Sequence, residues 1–271
     1  PPSAPRIETM MNNVALITGA SSGIGRELAR IHAAQKGDLV LVARREERLL
    51  ELKAELEQAH GVQVHVIPRD LAVPGAARAV YKEVTDKKID VEYLINNAGF
   101  GGHGFFHERE WEADKAMINL NILVLTALTR MFLPGMVERN RGAVLNVAST
   151  AGFIPGPLQA VYYASKAYVI SFSEALANEL SDTNVTVTAL CPNFTQTEFI
   201  EVGNLTRTRA VKMLFIPSAR AVADYGYRAM KRGKTVAVFG IFNKLAFHLL
   251  LRLMPRKLIT AISRSTMEKE G

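Results

Sequence analysis

A tyrosine and a lysine, Tyr162 and Lys166, stand four residues apart at the start of a segment with helical periodicity. At this spacing the two side chains share one helix face, whereas Tyr163 points about 100° away. A phenol has a reference pKa of about 10 and is a poor acid or base at neutral pH, but a neighbouring ammonium favours the phenolate. Ser149 follows a predicted strand thirteen residues earlier, where parallel sheets bind ligands. Together these groups could move a proton at a bound oxygen.

A glycine-rich turn follows the first predicted strand and reads Thr-Gly-Ala-Ser-Ser-Gly-Ile-Gly from position 18. In this pattern the first glycine permits a sharp turn, the second lets the backbone approach a pyrophosphate, and the third lets the next helix pack closely on the sheet. The amino end of that helix presents free amides and a positive dipole end to phosphates. The turn predicts a dinucleotide site with contacts from Gly19, Ser21, Ser22, Gly23, Ile24 and Gly25.

The residues that end the second predicted strand indicate which dinucleotide binds. An acidic side chain there would bind the ribose hydroxyls of NAD, but the chain has Ala43, Arg44 and Arg45. No carboxylate repels a 2′-phosphate, and the guanidinium of Arg44 can bind one in bidentate fashion, with Arg45 as a second candidate. We therefore expect NADP(H) to be preferred over NAD(H).

Short β-branched segments alternate with longer segments of helical periodicity along the chain. Several of the short segments are apolar at consecutive positions, which is typical of strands buried on both faces. The alternation predicts an α/β fold in which a doubly wound, parallel, seven-stranded Rossmann-type sheet carries helices on both faces. The predicted strands begin at Asn13, Leu39, Val62, Val91, Ala143, Val185 and Thr235.

The composition is that of a globular protein, since 48% of the 271 residues are apolar and 22% are charged. We expect one dinucleotide-binding and catalytic domain over residues 11–240, with a lid at about 194–216. Residues 1–10 read as a flexible leader or an expression remnant without an apolar signal segment. The single cysteine, Cys191, excludes an intramolecular disulfide and favours a cytoplasmic location. We expect no segment to span a bilayer.

Four motifs occur in the order and spacing of the short-chain dehydrogenase/reductase superfamily. From about residue 14 to residue 239 the chain resembles the compact, single-domain, NADP-preferring members of that superfamily. The motifs are the glycine turn from Thr18, Asn-Asn-Ala-Gly from Asn96, the serine after the fifth strand, and Tyr162-x-x-x-Lys166.

The resemblance implies roles for four catalytic residues. Tyr162 would be the general acid/base, Lys166 would lower its pKa and hold the nicotinamide ribose, and Ser149 would bind the substrate carbonyl. An asparagine on the fourth helix would support a water chain behind the lysine. Two asparagines compete for this role, and Asn121, followed by an apolar run and Thr-Arg, fits the family pattern better than Asn119.

Further cofactor contacts implied by the resemblance follow the other strands. The usual Pro-Gly after the sixth strand reads Pro192-Asn193, and asparagine tolerates left-handed backbone better than most residues. Relatives also form homodimers or homotetramers, so the same is implied here. The remaining implied contacts are Asp70 and Leu71 beside the adenine, Asn97, Ala98 and Gly99 along the adenosine, and Pro192 and Thr197 on the turn near the carboxamide.

Apolar side chains are frequent in three segments that would surround a substrate, residues 100–106, 153–158 and 194–216. They predict a hydrophobic carbonyl or alcohol substrate held at Ser149 and Tyr162, and they are equally consistent with simple packing of the lid. His103 and His107 have helical metal spacing, but no carboxylate or thiolate stands near them in a suitable sequence pattern, so no metal site is predicted.

Residues 241–271 form a basic, amphipathic, helical extension with six basic and two acidic residues, interrupted by Pro255. Such an extension can contact a membrane surface, seal a dimer, or pack against its own domain. The three possibilities stay open at the level of sequence.

The complete pattern predicts an oxidoreductase that transfers a hydride between NADP(H) and a carbonyl or alcohol carbon, with Tyr162 handling the proton. The alternative is a non-catalytic dinucleotide-binding sensor or scaffold of the same fold, but a mere binder needs none of the four catalytic residues. A nucleic-acid partner is disfavoured because the net charge is only +7 and no basic stripe carries interleaved aromatic residues.

Overall fold

The computed structural model describes residue 11 and residues 13–209, 216–240 and 254–268 of the chain. The leader at 1–10, lid residues 210–215, and residues 241–253 and 269–271 of the extension lie outside the described residues. The expectations for those segments therefore stay predictions.

Seven strands form one parallel sheet in the order β3-β2-β1-β4-β5-β6-β7, which confirms the predicted Rossmann-type architecture. The strands are β1 Val14–Thr18, β2 Leu39–Ala43, β3 Val64–Pro68, β4 Val91–Asn96, β5 Gly142–Val147, β6 Val185–Cys191 and β7 Val236–Val238.

Helices cover the sheet, and a π-helical segment, Asn119–Val124, joins two of them into one continuous helix. Short 3₁₀ turns occur at Phe106–Glu108 and Thr150–Phe153. The helices are α1 Gly23–Ala34, α2 Glu46–His60, α3 Ala76–Asp86, α4 Trp111–Ile118, α5 Leu125–Glu138, α6 Ala160–Glu179, α7 Phe199–Val202, α8 Ala219–Lys231 and α9 Arg256–Met267.

Alternate residues of the central strand β1 belong to two separate hydrophobic cores. Ala15 and Ile17 pack in a core with buried residues of α1, α2 and α8. Val14 and Leu16 pack in the other core with residues of α3 and α5. Because side chains alternate across a strand, this division shows that helices bury both faces of the sheet.

The order of the strands reverses around β1, which has β2 on one side and β4 on the other. The chain first builds outward from β1 to β3 and then crosses back to start β4 beside β1. In such sheets the crevice outside the carboxyl ends of the strands, at this switch point, is where ligands bind. The fold therefore places the ends of β1 and β4 at the candidate site.

Four buried polar side chains connect the middle of the sheet to two helices. The amide of Asn96 donates to the side chain of Asn146 at 2.9 Å and to the hydroxyl of Thr129 at 3.1 Å. The amide of Asn146 then donates to the hydroxyl of Ser173 on α6 at 3.0 Å. Since α6 also carries Tyr162 and Lys166, this network fixes both residues relative to β4 and β5.

The continuous helix from Trp111 to Glu138 is long and apolar enough to cross a membrane, by length and composition alone. The expectation from the sequence is that no segment spans a bilayer. The criterion is weak for this helix, because a core helix of a soluble domain satisfies it too and Leu128, Phe132 and Met136 are buried against the sheet.

We predict that replacing Asn146 with alanine lowers the free energy of unfolding by about 1–3 kcal/mol, because Asn96 and Ser173 would each lose a buried partner. Denaturant unfolding measures this change. Thr188→Val is the matched control on the neighbouring strand, since the Thr188 hydroxyl is buried without a hydrogen-bond partner. It should leave stability unchanged or slightly higher, and equal losses in both variants would contradict the role of the network.

Candidate active site

The glycine turn between β1 and α1 leaves no room for side chains. Gly19 and Gly23 have positive φ angles of 66° and 54°. A Cβ on Gly19 would lie 2.8 Å from Asn97 Nδ2, and one on Gly23 would lie 2.9 Å from Thr197 Cγ2. Ser22 precedes α1 without a capping hydrogen bond from its side chain, so no side chain covers the first helical amides. These are the features that an anion requires at a helix amino end.

The ends of β1 and β4 are joined by one threonine and one asparagine. The hydroxyl of Thr18 accepts hydrogen bonds from the backbone amides of Asn97 and Ala98, both at 3.0 Å. In return, the Asn97 side chain donates to the carbonyl oxygens of Thr18 at 2.9 Å and Gly19 at 3.2 Å. Asn97 therefore supports the glycine turn with its side chain, and a direct contact with adenosine stays a prediction for it.

The two arginines that follow β2 contact different parts of the predicted adenosine site. Arg44, with a side chain 75% exposed, lies 3.9 Å from the carboxylate of Asp70. Arg45 reaches the glycine turn, where its Nη2 atom donates to the hydroxyl of Ser22 at 2.9 Å and to that of Ser21 at 3.3 Å. Leu71, the neighbour of Asp70, is buried in the core.

Tyr162 and Lys166 lie in the first turns of α6, and both are buried. Lys166 Nζ donates to the carbonyl oxygen of Val147 at 2.7 Å and lies 5.8 Å from the centre of the Tyr162 ring. The Ser149 side chain lies close enough to the Tyr162 phenol to act on its pKa. The structure thus brings Ser149, Tyr162 and Lys166 together at the carboxyl end of β5.

Burial dominates the ionisation of this group. It raises the pKa of Tyr162 well above its usual value, and the nearby Ser149 side chain opposes only part of this rise. Burial also lowers the pKa of Lys166 to about 8. The lowering of the Tyr162 pKa by Lys166, which the resemblance implies, is therefore not found in this structure, where the ammonium is directed to Val147. The phenol is protonated at neutral pH.

Asn121 lies in the π-helical segment and is almost completely buried. Its amide donates to the hydroxyl of Ser165 at 3.1 Å and to the carbonyl oxygen of Phe100 at 3.0 Å. A Cβ on Gly99 would lie 2.9 Å from Asn121 Oδ1 and 3.5 Å from Lys166 Nζ. Asn121 and the lysine therefore meet at Gly99, behind Tyr162.

The other candidate asparagine, Asn119, points elsewhere. Its amide donates to the carbonyl oxygen of Ala72 at 2.5 Å. Of the two asparagines, Asn121 is the one that the structure places beside the catalytic helix. π-Helical turns are frequent at functional sites because the extra residue redirects the side chains around it.

The turn after β6 keeps its shape without a glycine. Asn193 does not adopt a positive φ, and its side chain instead accepts a hydrogen bond from the amide of Phe194 at 2.8 Å. The left-handed backbone considered for Asn193 is therefore not used. Pro192 offers its carbonyl oxygen to the Ser149 hydroxyl at 3.4 Å, and Thr197 lies against Gly23.

A small cavity of about 60 Å³, partly open to solvent, lies beside Tyr162. One wall carries an ion pair in which Arg109 Nη2 lies 2.7 Å from a carboxylate oxygen of Asp114, and Asp114 is only 2% exposed. The rest of the wall is largely apolar. The lining residues are Gly102, Gly104, Phe105, Phe106, Arg109, Asp114, Met117, Leu158, Gln159, Ala160, Val161 and Tyr162.

The described part of the C-terminal extension packs against its own domain at the edge of this cavity. The carbonyl oxygen of Met267 accepts a hydrogen bond from His103 at 2.7 Å, and its sulfur accepts one from Gln159 at 3.0 Å. Arg264 lies 5.1 Å from the centre of the Phe105 ring. Of the three possibilities for the extension, packing against its own domain is therefore the one observed for α9.

Comparisons with known proteins match this arrangement. The family model described as short chain dehydrogenase matches residues 13–207, well over half of the chain. The chain belongs to this family. A curated relative, the ketoacyl reductase HetN of a Nostoc species, is 31% identical over 230 residues, covering 85% of this chain and 79% of its own length. The chain spans only 59% of the length of two other relatives.

Solved structures of short-chain dehydrogenases share the fold along most of the chain. The enzyme from Sphingobium yanoikuyae in complex with NADPH has a TM-score of 0.80 and 32% identity, covering 89% of this chain and 91% of its own. The protein from Burkholderia phymatum in complex with NAD has a TM-score of 0.79 and 25% identity, covering 97% and 99%. The family is thus an oxidoreductase family with a nicotinamide dinucleotide, and members with either cofactor share this fold.

The residues present here fit such a cofactor. The glycines let the turn pack closely on Asn97 and Thr197 with its backbone uncovered by side chains of its own at these positions, and Ser22 does not cap the amino end of α1. Gly99 lets Asn121 and Lys166 approach each other closely, and Thr197 closes the other side of the groove at Gly23. The glycine turn, Thr197, Lys166 and Tyr162 would hold the nicotinamide half of the dinucleotide.

Sequence reasoning missed several residues around the cavity. Arg109 and Asp114 are five residues apart, a spacing that has no special meaning before a short helix. Gln159 and Met267 meet across 108 residues, which no local pattern can reveal. Glu198, on the lid, has no motif of its own, although its ion pairs with two arginines prove to be a main contact of the site.

We predict that Gly19→Ala abolishes dinucleotide binding and destabilises the fold more than Gly61→Ala. The two glycines have nearly equal φ angles, 66° and 65°, but a Cβ on Gly19 would collide with Asn97 and Ala98, whereas one on Gly61 meets no atom within 4 Å. Gly61→Ala should cost only the backbone penalty of about 1 kcal/mol. Calorimetric titration with the dinucleotide and thermal unfolding measure both effects, and retained binding in Gly19→Ala would contradict the assignment of the turn.

Proposed function

We propose that this chain is an NADP(H)-dependent oxidoreductase that acts on the carbonyl or alcohol group of a hydrophobic substrate. The observation that carries the proposal is the buried phenol of Tyr162, close to the Ser149 side chain, one helical turn from the buried Lys166 and beside a small cavity. A sensor or scaffold would not require these groups to converge at the edge of the sheet.

In the proposed reaction, a bound reduced nicotinamide supplies a hydride to the substrate carbon. Ser149 and Tyr162 hold the carbonyl oxygen, and Tyr162 donates its proton to that oxygen as negative charge develops there. Lys166 lies one helical turn from the phenol and can return a proton toward it, and Asn121 would support a water chain behind the lysine. Because burial keeps the Tyr162 phenol protonated at neutral pH, the resting site favours carbonyl reduction over alcohol oxidation.

Two features support NADP(H) over NAD(H). The position after β2 carries Arg44, and its guanidinium lies beside Asp70 on the adenosine side of the groove. Arg45 places a second cation on Ser22 of the glycine turn. A 2′-phosphate bound here would meet two guanidinium groups, and the carboxylates near them, Asp70 and Glu198, do not belong to the end of β2.

The cavity supports a substrate with an apolar body. Phe105, Phe106 and Met117 line it, and Phe199 of the lid packs on Tyr162 with ring centres 5.3 Å apart. The relative from Nostoc is a ketoacyl reductase, which agrees with a carbonyl carried on an acyl chain. We therefore propose a 3-oxoacyl or similarly apolar ketone as the substrate class.

We also propose that the protein is a homodimer or homotetramer, as its relatives are expected to be. Exposed apolar side chains on two helix surfaces support this proposal, namely Leu123 in the π-helical segment, 58% exposed, and Tyr168 on α6, 37% exposed. Such faces are frequent at interfaces between subunits.

We predict that Tyr162→Phe lowers kcat at least 100-fold while the dissociation constant of NADPH changes less than threefold, because the proton donor is lost but the ring is kept. Tyr163→Phe is the matched control, because it removes a hydroxyl from the next residue of the same helix. The ring of Tyr163 packs on Gly156. Turnover with a panel of ketones is followed through nicotinamide absorbance. Similar losses in both variants would contradict the assignment of Tyr162.

We predict that Arg44→Asp reverses the cofactor preference, with a fall of at least tenfold in the ratio of kcat/KM for NADPH to that for NADH. The new carboxylate would repel a 2′-phosphate and accept hydrogen bonds from ribose hydroxyls. Arg69→Asp is a suitable control for charge alone, since Arg69 is an arginine at the end of the neighbouring strand, 3.9 Å from Glu83. An unchanged ratio in Arg44→Asp would refute the phosphate-binding role of Arg44.

A further inference from the structure

A carboxylate of the lid binds two of the arginines at the adenosine end of the groove. Glu198 lies directly before α7, with one oxygen 2.8 Å from Arg45 Nη1 and the other 2.5 Å from Arg48 Nη1. The second Nη atom of Arg45 is bonded to Ser22 on the glycine turn. Through Arg45, the lid is thus attached to the turn that binds the pyrophosphate.

The residues on either side of Glu198 reach the two halves of the site. Thr197 packs on Gly23 of the glycine turn, so close that a Cβ on Gly23 would lie 2.9 Å from its methyl group. Phe199 packs on the Tyr162 ring and lies close to Gly101. Three consecutive lid residues therefore contact the phosphate turn, the arginine pair and the catalytic tyrosine.

We propose that Glu198 is a specificity-determining residue that competes with the 2′-phosphate of the cofactor for Arg45 and Arg48. This inference rests on the proposed NADP(H) function and adds Arg48 to Arg44 and Arg45 as a ligand of the 2′-phosphate. When a 2′-phosphate binds the arginine pair, Glu198 is displaced, and the lid end that carries Phe199 is released from the glycine turn. The lid over Tyr162 is thereby coupled to the one group that distinguishes NADP from NAD.

Charge and geometry support the competition. A carboxylate and a phosphate are both bidentate partners of guanidinium groups, so they need the same face of the arginines. The phosphate carries a charge of about −1.5 to −2 at neutral pH, whereas the carboxylate carries −1, so the phosphate is the stronger ligand. The pKa of Glu198 is held below its usual value by Arg48 first and by Arg45, so the carboxylate is ionised in the physiological range.

The ion pairs of Glu198 with Arg45 and Arg48 are weak enough for a phosphate to displace the carboxylate. The side chains of Glu198, Arg45 and Arg48 are between 40% and 44% exposed. Exposed ion pairs are weak because water and salt screen them. Glu198 can therefore reduce the affinity for a 2′-phosphate several-fold without preventing its binding.

The experiment compares adenosine 2′,5′-bisphosphate with adenosine 5′-monophosphate, which differ only in the 2′-phosphate. Isothermal titration of the full chain is carried out with the unmodified protein and with Glu198→Gln. We expect Glu198→Gln to bind the bisphosphate about threefold to tenfold more tightly and the monophosphate within twofold of the original value. The gain should shrink at high salt and disappear in Glu198→Gln combined with Arg45→Gln and Arg48→Gln.

A matched control is available on the same helix. Glu201 is an exposed carboxylate of α7, and Glu201→Gln removes the same charge from the lid without touching the arginine pair. It should leave the affinities for both nucleotides within twofold. An equal gain in Glu201→Gln would show that only the overall charge of the lid matters, which would overturn the proposal.

Hydrogen–deuterium exchange tests the release of the lid. The bisphosphate should increase amide exchange in residues 198–205 of the unmodified protein, the monophosphate should not, and Glu198→Gln should show the increase without ligand. Weaker binding of the bisphosphate by Glu198→Gln, or unchanged exchange in all samples, would show that Glu198 merely positions the arginines and would overturn the proposal. If Glu198→Gln fails these tests while the unmodified protein still prefers the bisphosphate, the NADP(H) function stands and only the competition is refuted.

Discussion

The hydroxyl of Thr18 holds the two strand ends between which the whole site is built. It accepts hydrogen bonds from the backbone amides of Asn97 and Ala98, while the Asn97 side chain donates to the carbonyl oxygens of Thr18 and Gly19. This exchange fixes the turn against the segment that follows β4, and Gly99 at the end of that segment is where Asn121 and Lys166 meet. Without these hydrogen bonds, the position of the glycine turn relative to Asn121 and Lys166 would not be fixed.

The burial of Tyr162 and Lys166 has an electrostatic cost. Burial disfavours the charged forms of both Tyr162 and Lys166, since it raises one pKa and lowers the other to about 8. The ammonium of Lys166 donates a hydrogen bond to the carbonyl oxygen of Val147, and the nearby Ser149 side chain partly offsets the rise in the Tyr162 pKa. Such a site is stable because its scaffold is rigid, and the buried network from Asn96 to Ser173 provides that rigidity on the same helix.

Much of this structure could be predicted from the sequence because its signals are local. The apolar strand segments predict the sheet. The i, i+4 spacing from Lys166 distinguishes Tyr162 from Tyr163 on the same helix. The family pattern favoured Asn121 over Asn119, and the structure places Asn121 at the site. Local signals did not reveal that Arg45 and Glu198 meet over the glycine turn, nor that Met267 reaches Gln159, because each pair is brought together only by the folded sheet.

The parts of the structure that could be predicted from the sequence and the parts that could not have different roles in the molecule. The residues proposed for cofactor binding and proton transfer lie at the ends of β1, β4 and β5, where the hydrophobic core determines the backbone. The walls of the cavity come from the loop before α4, from α4 and from the start of α6 with the residues before it, and α9 touches their edge through single polar contacts such as that of His103 with Met267. Few such contacts restrain these walls, so substitutions there can change substrate choice at little cost to the fold, whereas the core beneath fixes the chemistry.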